Sequence, residues 1–230
     1  MGEKIQIEVA GIGTIDGWLA KPSGAPRGAL VVIQEIFGVN PHIRAVADAY
    51  ARDDGYIALA PAFFDPVERG IELGYDEEGF RHGRELVGAL GFDRAIAIVA
   101  AAADYLKGLS DPASQGTHPV GAVGFCWGGT IAYLANTRLG LPAVSYYGAR
   151  NVPFLEETLR APMMFHFGEH DRAIPPQDVA QHREKQPDAA VFTYPAGHAF
   201  NRDVDPNAYD APSAKLAHAR TLELFRSALS

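Results

Sequence analysis

Ile5, Ile7 and Val9 alternate with polar neighbours, and Thr14 to Ala20 follows a glycine-rich turn, so the first twenty residues are predicted to form a β-hairpin. The pattern then changes. Ala29-Leu30-Val31-Val32-Ile33 is apolar without alternation, as expected of a strand covered on both faces. Asn40-Pro41 offers a cap and a first-turn proline for a helix reaching about Asp54, where Gly55 stops it. Tyr56 to Ala60 predicts a second buried strand, closed by Pro61, and residues 61–79 read as loop. An alanine-rich helix is expected from about Asp93 to Gly108. Val120 to Gly124 predicts a strand running straight into Phe125-Cys126-Trp127-Gly128-Gly129 and a helix over Thr130 to Arg138. Ala143 to Tyr147, Met163 to Phe167 and Val191 to Tyr194 read as strands, and Gln177 to Lys185 and Ser213 to Leu229 as helices. Strands alternating with helices predict an α/β fold with a mainly parallel central sheet, helices on both faces and an N-terminal hairpin. No repeat or linker interrupts residues 1–230, so a single domain is expected.

Composition narrows the functions open to this chain. With 47% hydrophobic and 21% charged residues over 230 positions, disorder is excluded and a core forms without crosslinks. The net charge of −8 argues against nucleic acid or an anionic membrane as partner. One cysteine, Cys126, can make neither an internal disulfide nor a cysteine-rich zinc site. The N-terminal ten residues lack the apolar stretch of a signal peptide, and the run Ala95 to Ala103 is about half a membrane span. A monomeric, cytoplasmic protein acting on small molecules is expected.

Gly124-Phe125-Cys126-Trp127-Gly128 has the form of a nucleophile elbow, with Cys where Ser is commoner. Such an elbow needs small residues on either side of a sharp strand-to-helix turn. It leaves the sulfur at a helix N-terminus, where the dipole and backbone N–H groups favour thiolate. The acid and the histidine should follow in that order. Asp171 lies in Gly168-Glu169-His170-Asp171 and His198 in Pro195-Ala196-Gly197-His198-Ala199-Phe200, each just past the carboxyl end of a predicted strand. His198 is the expected proton acceptor and Asp171 the residue that fixes its tautomer. The backbone N–H groups of Trp127 and of Ile36 or Phe37 are the expected oxyanion donors. Two metal-like patterns fail. His166-Phe167-Gly168-Glu169-His170 spans a strand end rather than the helix that H-x-x-E-H requires, and Asp203-Val204-Asp205-Pro206-Asn207 lacks the glycine and final glutamate of a calcium loop. No metal and no cofactor is expected.

Gln34-Glu35-Ile36-Phe37-Gly38-Val39-Asn40, the elbow with Gly129, Tyr146-Tyr147-Gly148 and Gly197-His198-Ala199-Phe200 together resemble the dienelactone hydrolase family over nearly the whole chain. The resemblance implies an α/β-hydrolase fold, a Cys126–Asp171–His198 triad and hydrolysis of a cyclic enol-lactone, dienelactone, to maleylacetate. It implies that Glu35 holds the resting cysteine as a thiol until substrate displaces its carboxylate. It also implies carboxylate recognition by Arg202 and Arg84, with Phe37 and Tyr147 lining the substrate site. Near Arg84 the chain carries Gly88, Ala89 and Gly91 where the family places aromatic residues. Two other readings stay open: a general esterase or thioesterase on the same triad, and a non-catalytic ligand-binding homologue.

Overall fold

The N-terminal alternation is realised as an antiparallel hairpin of β1 (Glu3–Val9) and β2 (Gly13–Ala20), with Ile7 opposite Ile15. In this computed structural model, residues 2–109 and 118–229 are described, so Met1, residues 110–117 and Ser230 lie outside the account. Two compact units are formed, one of Met1–Gly121 with Leu229–Ser230 and one of Ala122–Ala228.

In the first unit the hairpin continues into a sheet of order β1-β2-β4-β3, where β3 spans Ala29–Ile33 and β4 spans Ile57–Pro61. β4 runs antiparallel to β2 and parallel to β3. Every position of β3 and β4 is buried, which is why neither alternates in sequence. Helix α1 (Pro41–Arg52) packs on β4, β2 and β3, and the Asn40 side chain accepts the Ile43 N–H at 3.2 Å as its cap.

Helix α2 (Glu77–Leu90) corrects the sequence reading, which ran a loop over residues 61–79 and assigned no helix between that loop and Asp93. Gly79, Gly83 and Gly88 depress its helical signal. Two of these glycines answer to packing. A Cβ on Gly79 would stand 2.0 Å from the Gly74 carbonyl oxygen, and one on Gly83 would stand 2.2 Å from that of Ile36. Asp76 caps the helix by accepting the Gly79 N–H at 2.8 Å. Gly91, at φ 75°, then turns the chain into α3 (Phe92–Gly108), which packs on β1, β3 and β4.

The chain passes into the second unit within β5 (Val120–Phe125). There β5, β6 (Ala143–Tyr146), β7 (Met163–Gly168) and β8 (Ala190–Tyr194) pair in sequence order and are all parallel. Their carboxyl ends therefore share one edge, where open α/β sheets gather chemistry. Helix α4 (Trp127–Leu139) begins three residues earlier than the sequence suggested and is buried from Trp127 through Thr137. It packs on β6, α5 (Pro176–Lys185) on β8, and α6 (Ala211–Ala228) on β7. Among the described residues, no single helix is long and apolar enough to cross a membrane.

Candidate active site

Cys126 occupies the single residue between β5 and α4 with φ 56° and ψ −119°, a left-handed conformation costly for a residue with a Cβ. The glycines around it are sterically required. A Cβ on Gly124 would fall 1.8 Å from the Gly128 carbonyl oxygen, and one on Gly129 would fall 2.7 Å from that of Tyr146. Two backbone bonds fix the turn, Cys126 N–H to Tyr146 O at 3.0 Å and Gly129 N–H to Cys126 O at 2.9 Å. The half-buried thiol does not cap α4; it is hydrogen-bonded to His198 instead. Trp127 is the first residue of α4, the position whose N–H points out of the helix end.

Asp171 and His198 come from the turns after β7 and β8, which touch through their backbones. The His170 N–H donates to Ala196 O at 3.0 Å. A Cβ on Gly168 would stand 2.4 Å from that same Ala196 oxygen, so only glycine allows the approach. Asp171 is buried; its Oδ1 accepts the Ala173 N–H at 2.8 Å, and its Oδ2 faces His198 Nδ1 at 2.6 Å. An ionised carboxylate only accepts, so Nδ1 carries the proton of that bond and Nε2 is left for the sulfur. Burial alone would lower the pKa of His198. Negative charge on Cys126, then the Asp171 and Cys126 hydrogen bonds, outweigh it and push the pKa up to about 10. Ala199, the next residue, has φ 61°, and Tyr147 has φ 41°. With Cys126 these are the only non-glycine residues at positive φ among those described, and all three lie at this site.

Tyr147 is fully buried, its ring centroid 5.1 Å from that of His198 and 5.3 Å from that of Phe200. Arg202 is no surface arginine: it is 3% exposed, with Nη1 donating to Asp205 Oδ2 at 3.3 Å. In the first unit Glu35 is buried, and its carbonyl oxygen accepts from the Gln34 side-chain amide at 3.1 Å. The Ile36 carbonyl lies against Gly83. The fully buried Phe37 ring meets Tyr75 and Phe80 edge-on at 4.7 and 5.0 Å. Arg84 is exposed on α2, its guanidinium 6.0 Å from the centre of the Phe80 ring.

Sequence reasoning weighed His166 only as a metal ligand and missed its surroundings. Among the described residues no group of His, Cys, Asp and Glu is arranged to hold a metal. His166 is instead fully buried in β7, with Nδ1 2.8 Å from the Tyr194 hydroxyl and Nε2 3.1 Å from Thr221 Oγ1. A histidine inside the apolar run Met163-Met164-Phe165-His166-Phe167 was the available signal. Burial, aided by the Arg220 charge, drives its pKa down from 6.5 to about 3. The unfolded chain therefore takes up a proton below about pH 6.5 that the native protein refuses until about pH 3. Stability should fall as pH drops through that window, by up to ~1.4 kcal/mol per pH unit, and be indifferent to this group above it. Urea midpoints at pH 7.5, 6 and 5 measure the effect. A His166→Gln protein with the same acid slope as wild type would assign the slope to other groups.

A strained residue between a buried parallel strand and a helix, with an acid and a histidine on the turns after two later strands, defines the α/β-hydrolase class. The family model for the dienelactone hydrolase family matches residues 15–229, and the chain belongs to that family. It is 33% identical to a candidate carboxymethylenebutenolidase of Synechocystis sp., over 94% of this chain and 92% of the relative. It is 31% identical to the carboxymethylenebutenolidase of Pseudomonas sp. strain P51, over 97% of this chain and 94% of that one. The crystal structure of a candidate dienelactone hydrolase from Klebsiella pneumoniae subsp. pneumoniae superposes with a TM-score of 0.80 at 29% identity, covering 98% of both chains. The protein is a hydrolase with the α/β-hydrolase fold.

Proposed function

We propose that the protein is a cysteine hydrolase of small lactones bearing a carboxylate, of the kind carboxymethylenebutenolidases open, working through an acyl-thioester. The observation that carries the reading is the unbroken connection from Asp171 through His198 to the Cys126 sulfur. The family match, which spans both compact units, supports treating them as halves of one hydrolase domain. A lone unpaired thiol suits the reducing cytoplasm.

In the proposed reaction the Cys126 sulfur attacks the lactone carbonyl carbon, and the carbonyl oxygen takes up negative charge as the C–S bond forms. The Trp127 and Ile36 N–H groups are assigned to that oxygen. The ring C–O bond then breaks, and the proton held on His198 Nε2 passes to the leaving oxygen. His198 next removes a proton from water, which attacks the thioester and releases the second carboxylate while the sulfur is regenerated. Asp171 stabilises the imidazolium throughout without taking the proton. Glu35 is proposed to hold the sulfur as a thiol in a second, resting arrangement that protects it from oxidation. Tyr147 and Phe37 are read as walls of the substrate site, with Arg84 as an outer cation.

Arg202 is assigned to the substrate carboxylate because a planar guanidinium donates two parallel bonds to such a group. Unsaturated lactones with and without a free carboxylate test this. Arg202→Ala should raise KM for the acidic lactone about tenfold or more and leave the neutral one within about twofold. Equal handling of both lactones by the unaltered protein would move the reading to a general esterase.

A further inference from the structure

Three residues of the second unit, at the ends of β6 and β8 and within β7, hold the reactive loops by their main-chain carbonyls. Tyr146 O accepts the Cys126 N–H at 3.0 Å, and His166 O accepts the N–H of Tyr147, whose ring packs on His198, at 2.8 Å. Tyr194 O accepts two donors, Glu169 N–H at 2.8 Å from the acid turn and Ala196 N–H at 2.7 Å from the histidine turn. The side chains of the same three residues are joined behind the site. Arg220 Nη1 lies 3.1 Å from the Tyr194 hydroxyl, and that hydroxyl lies 2.8 Å from His166 Nδ1. His166 Nε2 lies 3.1 Å from Thr221 Oγ1, which lies 2.7 Å from the Tyr146 hydroxyl. Arg220 and Thr221 both stand on α6.

A guanidinium only donates, so the Tyr194 hydroxyl accepts from Arg220, and its own proton is assigned to the facing His166 Nδ1. His166 is then the neutral Nε2–H tautomer and donates to Thr221. Arg220 is held in turn over the Phe192 ring, 4.0 Å from its centroid. Arg220 is half-buried, whereas Tyr194, His166, Thr221 and Tyr146 are buried, and each buried polar group depends on its partners.

We propose that this chain, Arg220–Tyr194–His166–Thr221–Tyr146, is the positioning device that sets Asp171 and His198 against the Cys126 elbow, with His166 and Thr221 as positioning residues that never meet substrate. The proposal rests on reading Cys126, Asp171 and His198 as the reacting groups. The three strands share a link through α6, so a break in the link loosens two loops and the elbow together.

Thr221→Val and Tyr194→Phe each remove one hydroxyl and keep the shape and the main-chain carbonyls. In both variants kcat for an acidic lactone should fall about tenfold with KM within about twofold, because ordering of the reacting groups is lost and substrate contacts are not. The pH profile of Cys126 alkylation by iodoacetamide should shift, and the downfield Nδ1 proton resonance of His198 should broaden. Thr221→Ser should restore all three. Folded variants with an unchanged alkylation profile and His198 resonance would overturn the proposal, whatever their turnover. A wild-type protein that turns over no lactone, while the variants still shift both readouts, would instead overturn the reading of the reaction and leave the device standing. Should either variant fail to fold, nitrogen NMR of wild-type His166 decides the matter: the Nε2–H tautomer is expected, and the Nδ1–H tautomer would overturn the proposal.

Discussion

Cys126→Ala is expected to lower kcat/KM for any lactone or ester substrate by ~10⁴-fold or more while the protein stays folded. The size follows from what the sulfur does. It is the atom that bonds to carbon, and the residual rate belongs to whatever oxyanion donors and substrate binding supply to attacking water. The fold should survive because the thiol caps no helix, and its hydrogen bond to His198 ties together groups of the site. The elbow is held by the Cys126 N–H and carbonyl, which alanine retains. Initial rates with an acidic lactone, together with a thermal melt, measure both halves. More than about one per cent of wild-type turnover in a folded Cys126→Ala protein would sink the covalent mechanism.

Gly124→Ala should be severely damaging. The added Cβ would lie 1.8 Å from the Gly128 carbonyl oxygen and 2.3 Å from its carbon, and both are backbone atoms that cannot rotate aside. Either the first turn of α4 lifts from β5 or the elbow changes its dihedral angles, and each route removes the sulfur from His198. A loss of ~3 kcal/mol or more is expected, with activity near that of Cys126→Ala. Gly88→Ala on α2 is the matched control, since a Cβ there meets nothing within 4 Å. It should be neutral or stabilising by up to about 1 kcal/mol. Urea denaturation distinguishes the two. Equal midpoints for Gly124→Ala and wild type would show that the strand-to-helix contact is softer than drawn.

Much of this was legible because the relevant signals are local. The wholly apolar runs at Ala29–Ile33 and in β5 declared buried parallel strands, and the glycines flanking Cys126 declared a turn too tight for side chains. The order Cys126, Asp171, His198 could be read because each stands one step beyond a strand with a clear apolar signature. Helix α2 was not legible, because Gly79 and Gly83 are chosen by carbonyls brought near in space and weaken the helix signal in sequence. The burial of Arg202 was equally hidden, since nothing adjacent in sequence says what covers a guanidinium. The partners of His166 were hidden for the same reason: Tyr194 and Thr221 lie 28 and 55 residues away.

The left-handed backbone at Cys126 has a consequence for the life of the protein before it works. A chain still on its way to the native state has no reason to hold that kink, and its sulfur is then an ordinary thiol with no imidazole beside it. Only when β5, α4 and the carbonyl of Tyr146 form the elbow and the turn after β8 brings His198 does the sulfur acquire its partner. Chemical competence thus comes with the native turn, and the speed at which the thiol reacts becomes a gauge of how much of the sample is folded.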